Sequence, residues 1–137
     1  MNKNRRWLLL ASLLTLSASA DDIRGADKLL CSILQTSLCF AEVECTNIPP
    51  SSLNVPQFIE IDIKAKRLST TAASGENRQT PIESVSRKDG HLLLHGYEQE
   101  RAFTMLVPEL TGLASFASVG EDRSVVAFAA CTPLPGR

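Results

Sequence analysis

From Phe58 to Cys131 the chain is a succession of short segments with a two-residue hydrophobic period, each ended by a charged or glycine-containing turn. An antiparallel meander satisfies that pattern, because side chains alternate between the two faces of a strand and a tight turn sends the chain back beside itself. Ile59, Ile61 and Ile63 share one face, opposite Phe58, Glu60 and Asp62. Lys64-Ala65-Lys66 turns into a β-branched strand from Leu68 to Thr71, and Ala72 to Thr80 is a polar loop. A strand from Ile82 to Arg87 leads to Asp89-Gly90, a hairpin signal because both residues tolerate positive φ. Strands from His91 to Tyr97, Arg101 to Val107, Leu113 to Val119 and Arg123 to Cys131 follow, separated by Glu98-Gln99-Glu100, Glu109 to Gly112, and Gly120-Glu121-Asp122. The spacing predicts seven strands at intervals of roughly ten residues.

The segment before the meander has two solutions. Leu29 to Leu38 fits a helix through Leu30, Ile33 and Leu34, and a strand through Leu30, Ser32, Leu34, Thr36 and Leu38. As an eighth strand beside Ser124 to Cys131 it would close the sheet and leave no open edge. The expected fold is therefore all-β, a seven- to eight-stranded antiparallel meander closed as a small barrel. The alternative is a β-sandwich with residues 26–38 helical. Asn47 to Pro56, with three prolines, reads as a connection. Residues 21–57 and 58–133 form one domain.

Residues 1–20 carry the three parts of a secretory signal: Lys3, Arg5 and Arg6, then the apolar run from Trp7 to Leu16, then Ala18-Ser19-Ala20. The apolar run is too short for a membrane anchor, which needs about 20 such residues. The Arg5-Arg6 pair hints at a twin-arginine route, but general secretion is the better fit. The protein is expected in the periplasm or secreted. Four cysteines in an oxidising space imply two disulfides, not zinc, because Cys31, Cys39, Cys45 and Cys131 include no Cys-x-x-Cys pair. Three pairings are possible. The closed meander favours Cys31 with Cys131, at the start of the first strand and the end of the last, and Cys39 with Cys45 across a short loop.

Removing the leader takes 3 of 14 basic residues, leaving 11 against 15 acidic ones and a net charge of −4. That balance excludes a nucleic-acid binder and a polybasic membrane-surface protein. Alternate turns of an up-and-down barrel lie at one end. The end with Cys31 and Cys131 collects Lys28, Lys64, Lys66, Arg67, Arg87 and Lys88 against Asp27, Asp89 and Glu109, a net +3. The other collects Glu42, Glu44, Glu76, Glu98, Glu100, Glu121 and Asp122 against Arg78, Arg101 and Arg123, a net −4. Either turns are simply charged, or Glu98, Glu100, Glu121 and Asp122 offer a surface to a cationic protein.

Motifs for a strained serine nucleophile, a zinc protease or a phosphate loop are absent from the sequence. No catalytic residue, metal ligand or cofactor is assigned, and an enzyme is the weaker expectation. His91 and His95 would share a metal on a helix, but on a strand four residues span roughly 13 Å. With Tyr97 they form a stripe that is either a plain strand face or a ligand contact. Glu60 and Asp62 sit roughly 7 Å apart on one face, near the spacing of paired carboxylates in sugar hydrolysis, although a solvated face explains them too. The barrel is expected to be filled by side chains, while small residues inside it could leave room for an apolar ligand.

Ile61-Asp62 with Lys66, Asp89-Gly90 with Leu92, Leu94 and Gly96, Arg101-Ala102-Phe103, Thr111-Gly112 and Ala130-Cys131-Thr132-Pro133 resemble a group of small exported Gram-negative proteins with no assigned activity. In architecture alone the chain is also similar to periplasmic inhibitors of host lysozymes, whose inhibitory motif has no match here. The functional expectation is a non-enzymatic periplasmic β-barrel domain that binds a protein or small ligand. Alternatives are an inhibitor of a cationic secreted enzyme, such as a lysozyme, and a hydrolase with an unrecognised site.

Overall fold

The computed structural model describes residues 21–135, so the leader reading of residues 1–20 lies outside the described residues. Ten strands form one antiparallel sheet: β1 (Lys28–Phe40), β2 (Thr46–Asn47), β3 (Phe58–Asp62), β4 (Arg67–Thr70), β5 (Gln79–Pro81), β6 (Ser84–Lys88), β7 (His91–Glu98), β8 (Arg101–Pro108), β9 (Leu113–Val119) and β10 (Arg123–Pro133). Two single 3-10 turns, Pro50–Leu53 and Ala72–Ser74, interrupt the connections. No helix among the described residues is long and apolar enough to cross a membrane.

The sheet order is β5-β4-β3-β1-β10-β9-β8-β7-β6, with β2 paired to β1. The ambiguous N-terminal segment is thus a strand, and it lies beside β10, the central strand of the order. Its residues pair with β10 along nearly its whole length, setting Cys31 opposite Cys131. Those two cysteines are bonded, and Cys39 is bonded to Cys45. The strand carries a bulge that the sequence pattern does not reveal. Leu29, Cys31 and Ile33 point inward, the register slips at Leu34, and Thr36 and Leu38 then take the inward positions. Leu34 is left facing solvent at 61% exposure, so the single stripe through Leu30, Ser32 and Leu34 is replaced by one that changes phase.

The two outermost strands of the order are pieces of one segment. β5 pairs with β4 and β6 pairs with β7, yet only Ile82 and Glu83 separate them. The Ile82 amide donates to Lys66 O and the Glu83 amide to His95 O, both at 2.9 Å, so consecutive amides bond opposite edges of the sheet. Pro81 ends the first ladder where its missing N–H costs nothing. The sheet therefore curls back on itself into a barrel. The polar loop expected over Ala72 to Thr80 ends in β5 instead, with Gln79 and Thr80 in the half of this segment that faces β4.

Inward positions carry the core: Leu29, Ile61, Leu68, Leu92, Leu94, Val107, Ala114, Ala127 and Ala129. The end with the Cys31–Cys131 bond is sealed by Ile23, which is fully buried and whose amide donates to Glu109 O. The outer faces of β8, β9 and β10 leave Leu106, Leu113 and Phe128 exposed.

Charges at the sealed end largely neutralise one another. Lys28 pairs with Asp62 (3.3 Å), Lys64 with Asp27 (2.7 Å), and Arg87 lies 3.3 Å from Glu109 Oε1, outside hydrogen-bonding alignment. Asp21 accepts from Thr132, which adds it, with Asp22 and Asp62, to this end. Counting Arg24 as well, seven basic residues face six acidic ones, and the expected +3 falls to +1. Asp62 also fastens the β3–β4 turn by accepting from the Ala65 amide (2.8 Å). That backbone bond, helped by Lys28 and opposed by partial burial, holds its carboxyl below the usual aspartate range.

Two stability predictions follow from this architecture. The Cys31–Cys131 bond closes a sequence separation of 100 and the Cys39–Cys45 bond one of 6. Replacing the first pair by alanine is expected to cost about 4 kcal/mol and the second about 2 kcal/mol in urea unfolding; equal losses would contradict the ordering. For Asp62, a folded pKa below the unfolded one contributes stability that is present above pH about 4 and lost as pH falls through the folded value. The stability gap between the native chain and Asp62→Asn should therefore be open at pH 6 and close in acid.

Candidate functional site

Along the barrel axis the inward positions change character strand by strand. On β7 they run Leu92, Leu94, Gly96, Glu98; on β8, backwards, Val107, Met105, Phe103, Arg101; on β9, Ala114, Phe116, Ser118. On β4, Leu68 gives way to Thr70, and in the closing segment Ile82 is preceded inward by Thr80 and Arg78. The floor is apolar and sealed, and the far end is lined by polar and charged side chains.

Between them lies a cavity of about 200 Å³. Its walls are Ile33, Ile59, Leu68, Phe103, Met105, Phe116, Val125 and Ala127. Its mouth is edged by Asn54, Thr70, Arg78, Thr80, Glu98, Gln99, Arg101 and Ser118. The expectation of a filled barrel is corrected here. Eight strands enclose a space that side chains can fill or that can hold one small ligand, and alanine at 127 with serine at 118 supplies too little volume to fill it. A dry apolar cavity of about 150 Å³ accommodates benzene, which sets the scale of an occupant.

Two local devices shape the cavity. Gly96 has no side chain because the Phe103 ring occupies its place: a Cβ there would stand 2.3 Å from Phe103 Cζ and 2.9 Å from Pro81 O. The ring thereby lies against β7 and stacks with Phe116 at 6.0 Å between centroids. The β7–β8 turn at the mouth uses Gln99 and Glu100, both at positive φ without glycine (48° and 62°). Such backbone is sparsely populated for these residue types, and Lys66 (50°) shares it in the β3–β4 turn at the sealed end. Asp89-Gly90, in the β6–β7 turn, makes its positive-φ turn with the residues that suit it.

The end of the proline-containing connection after Asn47 forms one side of the mouth. Leu53, Asn54, Val55 and Pro56 line the cavity. Arg78 Nη1 donates to Asn54 O (2.7 Å) and pairs with Glu76 (3.6 Å), fixing this connection against β5. Gln57 Nε2 donates to Ile33 O at the β1 bulge (2.6 Å). Across the closing seam, Thr80 Oγ1 donates to Glu98 Oε2 (2.6 Å).

The sequence-derived residues distribute unevenly about this site. Glu98 lines the cavity, and Glu100, Glu121 and Asp122 stand on the two neighbouring turns, brought together by the pairing of Ala102 with Val119. Asp122 is engaged by Arg123 at 3.7 Å. His91, His95 and Tyr97 point away from the cavity, alternating with buried Leu92, Leu94 and Gly96; His91 Nδ1 lies 2.9 Å from Asp89 O. Glu60 also faces outward, while Asp62 serves the turn and Lys28. No group of three or more histidine, cysteine, aspartate or glutamate side chains among the described residues could hold a metal ion. Arg78, Thr80 and Arg101 belong to the site but were legible only as loop or end residues. Their signal is phase: Arg101 is in step with Phe103, Met105 and Val107.

No family model, curated protein or solved structure matches the chain.

Proposed function

We propose that this protein is a non-enzymatic binding domain of an oxidising, exported compartment, the periplasm or the exterior, and that it holds one small apolar ligand inside its barrel. The carrying observation is the cavity of about 200 Å³, walled by apolar side chains and edged at its mouth by polar ones, in a barrel whose other end buries Ile23. A concave apolar space with a few convergent polar groups is the usual form of a small-molecule site. Two disulfides support the compartment, as does the leader-like sequence of residues 1–20.

A second reading is favoured by the acidic surround of the mouth, where seven acidic residues face three arginines. Here the same end docks on a cationic protein, for instance a basic secreted enzyme that it inhibits, through Glu98, Glu100, Glu121 and Asp122.

An uncharged polarity-sensitive dye, N-phenyl-1-naphthylamine, tests the first reading. Fluorescence enhancement is expected with the native protein and with Leu34→Ser on the outer wall, and is expected to vanish in Ala127→Phe, which fills the cavity. Undiminished enhancement in a folded Ala127→Phe protein would refute occupancy of the barrel. For the second reading, capture of lysozyme by the immobilised protein should fall as salt rises and disappear when Glu100, Glu121 and Asp122 are changed to Gln, Gln and Asn. Capture indifferent to both would remove it.

A further inference from the structure

Taking the cavity as a ligand site, we propose that its ligand is a free apolar α-amino acid, held by its side chain in the cavity and by its ammonium and carboxylate groups at Glu98 and Arg101. These two residues form the last rung of the β7–β8 ladder, directly opposite each other. Both face inward, both are half-buried, and both line the cavity. Yet no ion pair or hydrogen bond joins them among the described residues.

Their separation is built in. Thr80 holds Glu98 by Oε2 and leaves Oε1 without a partner among the described residues. The Arg101 stem lies over Gly120, where a Cβ would stand 3.3 Å from its Cγ and 3.6 Å from its Nε. Its guanidinium makes no hydrogen bond among the described residues, whereas Arg78 at the same mouth is committed to Glu76 and Asn54. Two opposite charges, partly withdrawn from water and not spent on each other, leave a donor fork and an acceptor oxygen side by side.

The head group must match both. A simple carboxylate finds Arg101 but meets Glu98 and, beyond it, Glu100, Glu121 and Asp122. An ammonium alone finds Glu98 but meets Arg101. A head carrying both charges satisfies the pair at once, and each half-buried charge then gains a charge-assisted bond. Size limits the remainder. A space of about 200 Å³ walled by Phe103, Met105, Phe116 and Val125 suits one aromatic or branched aliphatic side chain, not a long acyl chain.

Calorimetric titration of the disulfide-bonded protein with L-phenylalanine, L-leucine, N-acetyl-L-phenylalanine and L-phenylalaninamide tests this. Binding of phenylalanine or leucine is expected, with either single-charge phenylalanine derivative weaker by about tenfold or more. Glu98→Gln should weaken phenylalanine and its amide but strengthen the acetyl derivative, whose carboxylate no longer meets a like charge. Arg101→Gln should weaken phenylalanine and the acetyl derivative but strengthen the amide, whose ammonium no longer meets a like charge. Circular dichroism establishes that both variants fold. If neither amino acid binds, or a single-charge derivative binds as tightly as phenylalanine, the head-group assignment is overturned. Dye binding that is still abolished by Ala127→Phe would then leave the cavity site standing, whereas failure of that dye response removes the site itself.

Discussion

The pairing of β1 with β10 is the contact on which the rest of the molecule depends. These are the longest strands, at 13 and 11 residues, and they come from opposite ends of the described chain. Their ladder joins two arms, β1-β3-β4-β5 and β6-β7-β8-β9-β10, each of which is otherwise built from near neighbours in sequence. Bringing such distant segments together has a large loop-closure entropy cost, and a covalent bond between Cys31 and Cys131 on the ladder itself removes much of that cost from the folded balance. Once the ladder forms, the two arms curl toward a common seam. They meet at Ile82-Glu83, where the chain passes between them in a single peptide step.

The meander was legible because its determinants are local. Alternation in Ile59-Ile61-Ile63 and in Phe103-Met105-Val107 sets strand and face, and Asp89-Gly90 sets a turn, without reference to anything distant. What escaped local pattern depends on partners. The segment from Gln79 to Lys88 pairs first with β4 and then with β7, and nothing in its own residues marks the change of partner. The bulge at Leu34 answers to the register of β10, not to the hydrophobic stripe of β1. Fold and closure were therefore within reach of the sequence, while the way the barrel closes was not.

The site was harder to read for a different reason. Cavity volume is a sum over strands: Ala127 and Ser118 are unremarkable alone and leave space only because they converge. Turn position likewise assigns Glu98 and Arg101 to one end of the barrel but not to its inside. Their inward direction follows from phase with Gly96 and Phe103, and becomes meaningful only once the inner face is known. His91, His95 and Tyr97 are chemically conspicuous, but their phase against Leu92, Leu94 and Gly96 puts them on the outer wall.

Asp21 bonds to Thr132 and Leu134 bonds to Lys28, so both ends of the described chain leave from the sealed floor beside Ile23. The molecule thus has a front and a back. Both ends of the described chain, residues 21 and 135, therefore point away from the mouth bearing Glu98 and Arg101. Immobilised, fused or crowded against a surface by its ends, the domain presents its opening outward, like a cup fixed by its base.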